Sequence, residues 1–497
     1  MTNDLLNLDE VRLDPAWALR VPAALAVRKL VLPLCKLREQ VQVACVSAED
    51  QGTLHAVERC LEAPVEFVLA DDDSLRRAVA RIFGGSAGAA GNLPVRLRLR
   101  DGRGAGEPEA EGAVGLCDEL LHAAFLRNAS DIHIDPGEAR VRIRFRVDGV
   151  LEEYRELGNE ELLGLISRFK VLAEMDIAEK RAPQDGRFTA TLGAAARKVD
   201  IRVATLPTRH GERMTLRLLS LETEALTLER LGMSDRDLAA FSQALDRPHG
   251  LILLSGPTGS GKTTTLYAAI RRLLGQQGGN VITIEDPVEY EIGGVAQVEV
   301  DYVDKVSFQK ALRSVLRHDP DVIMIGEIRD AETADVALKS ALTGHLVLST
   351  LHTNTAAGVV TRLIDMGVQR FLAAATLRVA VAQRLVRRLC RRCRQPRRLL
   401  AAEALALNLP DTTSHPVYEP GGCVYCAGRG FTGRLGLFEL LPVDEQLARA
   451  IAHDISEAEI VQHARACQQP LLLEDGAAKV LAGETTVREV LGAVTMW

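Results

Sequence analysis

The residues best suited to chemistry form a glycine-rich segment, GPTGSGKTTTLY at 256–267, directly after the apolar run LILLS. Gly256, Gly261, Lys262 and Thr263 match the pattern G-x-x-x-x-G-K-[ST], and a helical stretch follows them. In such a loop the backbone N–H groups surround phosphates, the lysine reaches the β and γ phosphates, and the Thr263 hydroxyl binds Mg²⁺. The segment predicts a nucleotide-binding loop of nine residues: Gly256, Pro257, Thr258, Gly259, Ser260, Gly261, Lys262, Thr263 and Thr264.

Two further apolar runs end at carboxylates. In NVITIEDPVEYE the predicted strand runs out at Glu285 and Asp286, and in HDPDVIMIGEIRD the strand at 322–325 leads to Glu327. Ligands of open α/β sheets bind at the carboxyl ends of the strands, so we expect these acids near the phosphates. Nucleotide hydrolysis needs a base and a metal-supporting acid there, which makes Glu285 and Glu327 the candidate catalytic carboxylates.

Four cysteines have the spacing of a metal site. Cys390, Cys393, Cys423 and Cys426 form C-x₂-C-x₂₉-C-x₂-C, which is typical of a tetrahedral four-thiolate zinc centre. Such a centre leaves no open position for water, so it is predicted to be structural. The other five cysteines are predicted to be buried as small apolar residues: Cys35, Cys45, Cys60, Cys117 and Cys467.

The first cysteine pair lies in an arginine-rich run, RLVRRLCRRCRQPRR at 384–398. A run of this kind can bind nucleic acid, acidic lipid headgroups or an acidic protein surface. It can equally be a solvated surface, and the sequence leaves these alternatives open.

The elements that position these groups fall into an α/β multidomain arrangement. Residues 1–83 mix helical patterns with short strand-like runs and predict a small α/β module. Residues 84–112 are rich in Gly, Ala and charge and predict a flexible linker. Alternation as in VRIRFRVDG predicts a mainly antiparallel α+β domain at 113–224. Short apolar strands alternating with helices predict a parallel sheet at 225–497.

Composition excludes several classes of protein. The net charge of -7 and the 4% aromatic content argue against a general nucleic-acid coat. No apolar run approaches the ~20 residues that cross a bilayer, and the acidic start MTNDLLNLDE does not have the pattern of a secretory signal. We therefore expect a cytoplasmic protein whose paired cysteines bind metal rather than form disulfides.

Four segments together resemble the nucleotide-site boxes of the type II/type IV secretion ATPase superfamily: GPTGSGKTTTLY, TIEDPVEY, DPDVIMIGEIRD and TGHLVLSTLHTN. The resemblance implies a RecA-like ATPase domain that assembles as a hexamer and contains the zinc element, 385–430. It implies that Glu285 activates the attacking water and that Glu327 supports Mg²⁺ and that water. His345 and His352, in the fourth box, would sense or position ATP.

The stretch at 181–219 resembles the PAS-like domain, called N2, that precedes the motor domain in the same superfamily. By that likeness Arg202 and Arg217 are arginine fingers that reach the γ-phosphate and neutralise its charge. Arg187 is a weaker candidate of the same kind. The alternative is that these arginines form salt bridges within their own domain.

Within the superfamily, secretion and pilus-assembly ATPases carry a similar tetracysteine element, whereas retraction motors typically lack it. The chain most resembles the type II secretion ATPases. This implies an enzyme on the cytoplasmic face of the bacterial inner membrane that drives pseudopilus assembly. Residues 1–83 would dock on a bitopic inner-membrane protein, an inner-membrane platform protein would be a second partner, and no nucleic acid is expected. The alternatives are a type IV pilus assembly ATPase, a zinc-ribbon nucleic-acid translocase and a nucleotide-dependent switch.

Overall fold

A computed structural model describes residues 5–48, 50–83, 95–98, 112–193, 197–219, 227–277, 279–300, 307–410 and 415–495. The chain divides into two compact units. The first unit comprises Met1–Leu221, Leu389–Gln395 and Glu419–Gly433. The second unit comprises Glu222–Arg388, Pro396–Tyr418 and Arg434–Trp497.

The first unit begins with the small α/β module that the sequence predicts. Its helices are α1 (Pro15–Ala18), α2 (Ala23–Lys29), α3 (Gln51–Leu61) and α4 (Asp72–Phe83). Its strands are β1 (Val31–Leu37), β2 (Gln40–Cys45) and β3 (Val65–Leu69). Strand β2 pairs antiparallel with β1 and parallel with β3. Asp50 starts α3 because its side chain accepts a hydrogen bond from the backbone N–H of Thr53, which would otherwise lack a helical partner.

An antiparallel sheet with two helices completes most of the first unit. The helices are α5 (Ala113–Leu126) and α6 (Asn159–Leu172). The strands are β4 (Val95–Arg98), β5 (Ala129–Pro136), β6 (Arg140–Val147), β7 (Val150–Gly158), β8 (Gln184–Leu192), β9 (Arg197–Thr208) and β10 (Gly211–Leu219). Their order is β4-β8-β9-β10-β5-β6-β7, and all six neighbouring pairs are antiparallel, as predicted.

The predicted linker at 84–112 needs one correction. Val95–Arg98 lies inside it and forms a strand that pairs with the edge of β8. The short alternation VRLR is enough for a strand when an existing edge supplies the hydrogen bonds. Apart from Gly112, the rest of this linker lies outside the described residues.

The second unit contains the remaining regular elements. Its helices are α7 (Asp235–Leu245), α8 (Lys262–Gln277), α9 (Phe308–Val315), α10 (Ala331–Leu342), α11 (Ala357–Asp365), α12 (Arg370–Thr376), α13 (Ala401–Ala406), α14 (Glu445–Ala452), α15 (Glu457–Ala466), α16 (Leu472–Leu481) and α17 (Val487–Thr495). Its strands, some of which reach the unit boundary, are β11 (Gly250–Ser255), β12 (Val281–Glu285), β13 (Ala296–Glu299), β14 (Val322–Ile325), β15 (Leu346–Leu351), β16 (Leu377–Leu389), β17 (Gln395–Arg398), β18 (Pro416–Glu419) and β19 (Phe431–Pro442).

The main sheet of the second unit has the order β13-β12-β14-β15-β11-β16-β19, and its strands β11 to β16 pair in parallel. Every residue of β11 is buried, and successive side chains enter different cores. Leu251 and Leu253 pack in the core that includes α9 and α10, whereas Ile252 and Leu254 pack in the core that includes α8. Helices therefore cover both faces, which explains why the strands read as continuous apolar runs.

None of the helices among the described ranges combines the length and the apolarity that a bilayer crossing requires.

Candidate nucleotide site and metal centre

The phosphate-binding loop leaves the carboxyl end of β11 and enters α8 at Lys262. Its glycines are required by close packing as well as by backbone conformation. Gly256 has a φ of 143°, and a Cβ there would lie 2.5 Å from the Gln383 carbonyl oxygen. Gly261 has a φ of 90°, and a Cβ there would lie 2.9 Å from the Gln383 side-chain nitrogen. At Gly256 the backbone of a neighbour therefore leaves no room for a Cβ, and at both positions the positive φ favours glycine.

Lys262 lies at the centre of this loop and is 8% exposed. Its Nζ donates hydrogen bonds to the carbonyl oxygens of Gly256, at 2.7 Å, and Pro257, at 3.2 Å. Burial lowers the pKa of Lys262 to about 8; the charge of Glu327 opposes this shift and that of Arg384 adds to it. A phosphate anion beside Lys262 would therefore stabilise the charged form of the amine.

Four side chains meet beyond the ends of β12, β14 and β15. His352 Nε2 lies 3.2 Å from Glu327 Oε2, and Arg329 forms ion pairs with Glu327 and, at 3.6 Å, with Asp286. The Glu327 side chain is 17% exposed, so it remains partly open to solvent. The structure brings Glu327 and His352 together, and adds Arg329, which the sequence analysis missed although it lies within the GEIRD segment.

Glu285, unlike Glu327, is buried and hydrogen-bonded to neutral side chains. It is 3% exposed, and its Oε1 accepts hydrogen bonds from the Thr283 hydroxyl, at 2.6 Å, and from Gln297 Nε2, at 3.1 Å. Its Oε2 accepts a hydrogen bond from the hydroxyl of Tyr267. Burial, followed by the charge of Glu285, raises the pKa of Tyr267. Tyr267 was missed by the sequence analysis, although a buried tyrosine hydroxyl needs a partner and this residue ends the glycine-rich segment.

His345 lies away from this cluster. It precedes β15 and His352 follows it, so the strand separates the two histidines by more than about 20 Å along its length. The His345 carbonyl accepts a hydrogen bond from Gly250 at the start of β11, and its Nδ1 lies 3.0 Å from the Ser340 carbonyl. The phosphate loop is at the other end of β11, and the structure does not bring His345 to it.

Arg187, Arg202 and Arg217 form a row across the first unit's sheet. Arg202 pairs in register with Arg187 on one side and with Arg217 on the other. Arg217 pairs in register with Asp131, and its Nε donates a hydrogen bond to Asp131 Oδ1 at 2.9 Å. The Arg217 side chain is 60% exposed. The structure thus brings all three candidate fingers to one face of one sheet.

The four cysteines converge as a metal centre requires. Sγ atoms lie 3.8 Å apart in the pairs Cys390–Cys423, Cys393–Cys426 and Cys423–Cys426. A tetrahedral zinc with Zn–S bonds of about 2.3 Å requires about 3.8 Å between sulfurs. Backbone N–H groups of Gly422 and Gly430 donate to Cys393 and Cys426. The donor set therefore fits one structural zinc ion.

The segment around Tyr425, in the second half of the cysteine element, packs on the N-terminal module. The sequence assigned 385–430 to the last domain, but Leu389–Gln395 and Glu419–Gly433 group with the first unit. The reason is apolar contact, because Val424, Tyr425 and Ala427 pack against the core that contains Leu8 and Leu34. A polar contact adds to this, because Arg392 pairs with Glu10 of the module at 2.7 Å. Arg429 pairs with Glu152 on β7 of the antiparallel sheet at 3.1 Å.

Comparison with known proteins decides the family. A family model described as Type II/IV secretion system protein matches residues 109–492, and an MshEN domain model matches residues 4–89. The chain belongs to the type II/IV secretion system protein family. Type II secretion system protein E of Pseudomonas aeruginosa is 41% identical over 496 residues, which cover 97% of this chain and 98% of that relative.

Two further relatives of this secretion-family chain are informative. Type II secretion system ATPase E of Vibrio cholerae is 45% identical over 378 residues, 76% of this chain and 74% of that relative. The crystal structure of the pilus retraction motor PilT with bound ADP is 28% identical, with a TM-score of 0.52 over 75% of this chain and 95% of that one. The predicted α/β fold with its RecA-like domain is therefore confirmed.

Several side chains of the arginine-rich run of this family member form contacts within the chain. Arg387 pairs with Glu489 at 2.6 Å, and Arg397 pairs with Glu403 at 2.7 Å. Arg384 donates to the backbone carbonyl and the side chain of Asn354. Two of these three arginines thus have a carboxylate partner within the chain, which offsets part of the charge of the run.

One prediction about the remaining cysteines is wrong. Cys35, Cys45 and Cys117 are buried and Cys60 is partly buried, but Cys467 is exposed. Cys467 caps the carboxyl end of α15, where its backbone N–H donates a hydrogen bond to the His463 carbonyl and the residue is accessible to solvent. A single cysteine in a helical pattern carries no signal that distinguishes these two positions.

Proposed function

We propose that this chain is an ATPase that powers type II protein secretion by driving pseudopilus assembly at the bacterial inner membrane. The observation that carries the proposal is the phosphate loop around Lys262, together with Glu327 and His352 at neighbouring strand ends. The charge of Glu327 acts on Lys262, so both groups belong to one electrostatic site. The likeness to secretion system E proteins over nearly the whole chain supports the biological role.

Each residue of the phosphate site has a distinct part in the proposed reaction. Backbone N–H groups of the loop and the start of α8 bind the phosphates, and Lys262 exchanges its carbonyl partners for phosphate oxygens. The Thr263 hydroxyl would hold Mg²⁺, which neutralises phosphate charge when bound. Glu327 orients the attacking water and supports the ion, and His352 fixes the Glu327 carboxylate.

Glu285 is proposed to contribute from a buried position. Hydrogen bonds from Tyr267, Thr283 and Gln297 fix the direction of the Glu285 side chain. Because Glu285 is less exposed than Glu327, we propose that Glu327 is the carboxylate that faces the nucleotide. Glu285 would lie farther from the nucleotide than Glu327. His345 is left with a structural role at the opposite end of the sheet.

The arginine row is proposed to bind anionic phosphate. Arg187, Arg202 and Arg217 stand in register on three neighbouring strands, which concentrates guanidinium groups on one face of the sheet. The planar guanidinium group matches phosphate geometry well, so this face is suited to an anionic ligand. We therefore propose that Arg202 and Arg217 neutralise charge on the γ-phosphate during hydrolysis.

The biological assembly is proposed on the same basis. The chain would act as a hexamer on the cytoplasmic face of the inner membrane. Residues 1–83 would dock on a bitopic inner-membrane protein, and a platform protein in that membrane would receive the motion.

The test is complementation in a bacterium whose own type II secretion ATPase gene has been deleted. Wild-type chain is expected to restore exported proteins in the culture medium, whereas Glu327→Gln is expected to restore none. Glu332→Gln is the matched control, because Glu332 is an exposed acid on α10. Restoration of surface pili without exported proteins would assign the chain to pilus assembly. Restoration of neither, with normal ATP turnover of the purified protein, would overturn the secretion role.

A further inference from the structure

A second group of metal-ligand side chains lies in the second unit, apart from the four-cysteine centre. His463 Nε2 lies 3.0 Å from Asp444 Oδ2 and 3.7 Å from Cys467 Sγ. The three ligand atoms all lie within 4.8 Å of one another. Imidazole nitrogen, thiolate sulfur and carboxylate oxygen are the three donor types that zinc takes from proteins. The cluster is therefore more specific than a group of surface acids.

Local structure fixes each of the three donors. Asp444 is the N-cap of α14, and its Oδ1 accepts a hydrogen bond from the Leu447 N–H, so Oδ2 is directed to His463. His463 and Cys467 are four residues apart at the end of α15, which places both on one side of the helix. Arg236 donates to the Cys467 carbonyl at 2.6 Å and also to the Gln468 carbonyl, which fixes the end of α15.

We propose that Asp444, His463 and Cys467 bind a divalent transition metal ion, with zinc as the best fit. Tetrahedral zinc sets about 3.3 Å between nitrogen and oxygen ligands and about 3.5 Å between nitrogen and sulfur. The observed separations of 3.0 and 3.7 Å need shifts of only a few tenths of an ångström. On binding, the Cys467 thiol releases its proton to solvent, and neutral His463 supplies the Nε2 lone pair.

The fourth position of this ion is open. The Asp444 side chain is 48% exposed and Cys467 is exposed, so water can complete the coordination. The ion would join the start of α14 to the end of α15. It would bind less tightly than the four-thiolate centre, because it has one thiolate and two accessible ligands.

The test uses the whole chain, stripped of metal by a chelator under reducing conditions and titrated with Zn²⁺ against a chromophoric competitor. Wild type is expected to bind two zinc ions per chain, one of them more weakly. His463→Ala and Cys467→Ser are each expected to bind one. His453→Ala is the matched control and is expected to bind two, because His453 is an exposed histidine at the end of α14.

A second readout keeps the proposal falsifiable if a variant does not fold. Zinc is expected to slow alkylation of Cys467 in wild-type protein by about tenfold or more, because coordination withdraws the thiolate from reaction. Cys60 serves as the internal reference, and the protection is expected to be absent in His463→Ala. Equal alkylation of Cys467 with and without zinc, or a second zinc retained in Cys467→Ser, would overturn the site.

Discussion

The hydroxyl of Tyr267 on α8 donates a hydrogen bond to Oε2 of Glu285 at the end of β12. This bond links the helix that begins at the phosphate loop to one of the two candidate catalytic acids. Tyr290 packs edge-on against Tyr267 with ring centroids 4.5 Å apart, so the hydroxyl has a fixed direction. A movement of α8 on nucleotide binding would therefore shift the hydrogen bond that Tyr267 donates to Glu285.

Removing this hydroxyl gives the first prediction. Tyr267→Phe is expected to destabilise the second unit by about 1.5–3 kcal/mol, because a buried carboxylate loses a charge-assisted donor. ATP turnover is expected to fall with it, while Tyr290→Phe changes neither by as much. Urea unfolding and steady-state turnover measure the two effects. Equal stability of both variants would show that the bond is dispensable.

Lys262 gives a prediction with a defined pH dependence. Its pKa is about 8 in the free protein, and a bound phosphate favours the charged amine. ATP binding should therefore take up a proton above pH 8 and weaken as the pH rises, whereas near pH 7 the amine is already charged. Calorimetry in buffers of different ionisation enthalpy measures this uptake. Lys262→Ala is expected to abolish binding or turnover, and uptake that is independent of pH would contradict the assignment.

Glu327 should separate binding from hydrolysis. Glu327→Gln is expected to bind ATP as wild type does and to hydrolyse it at least about 10²-fold more slowly, because an amide cannot take the proton from water. Binding by fluorescence titration and single-turnover hydrolysis measure the two steps. Glu332→Gln should leave both intact. Normal turnover of Glu327→Gln would remove the role proposed for Glu327.

The arginine row should act on the rate rather than on binding. Arg202→Ala and Arg217→Ala are each expected to lower kcat by about 10³-fold, the lower end of the range for arginine fingers, with little change in ATP affinity. Arg197→Ala is the control, because Arg197 is exposed on the same strand but lies outside the row. A loss confined to affinity would indicate a binding role instead.

The four-thiolate centre predicts a loss of metal and stability together. Cys393→Ser is expected to release one zinc ion per chain and to lower the unfolding temperature, because structural zinc contributes directly to folding. Cys60→Ser, which changes a cysteine outside both clusters, should do neither. Zinc is measured by atomic absorption. An unchanged zinc content in Cys393→Ser would show that the ligand set is wrong.

Local patterns predicted most of the fold and the centre of the site. The phosphate loop, the sheet alternation at 141–147 and the cysteine spacing each fix a local geometry, so they could be read from the sequence. The Tyr267–Glu285 bond and the exposed position of Cys467 depend on how distant elements pack. His345 differs from these, because it precedes the apolar run of β15, and ligands of open α/β sheets bind at the carboxyl ends of the strands.

The packing of the segment around Tyr425 on the N-terminal module has a consequence for biosynthesis. Val424, Tyr425 and Ala427 cover part of the core of the N-terminal module, yet the ribosome adds them on the order of tens of seconds after Phe83. Until then part of the apolar core of the module is exposed to solvent. Its folding is thus completed late in synthesis, at the time when the last two cysteines of the four-thiolate cluster are also made.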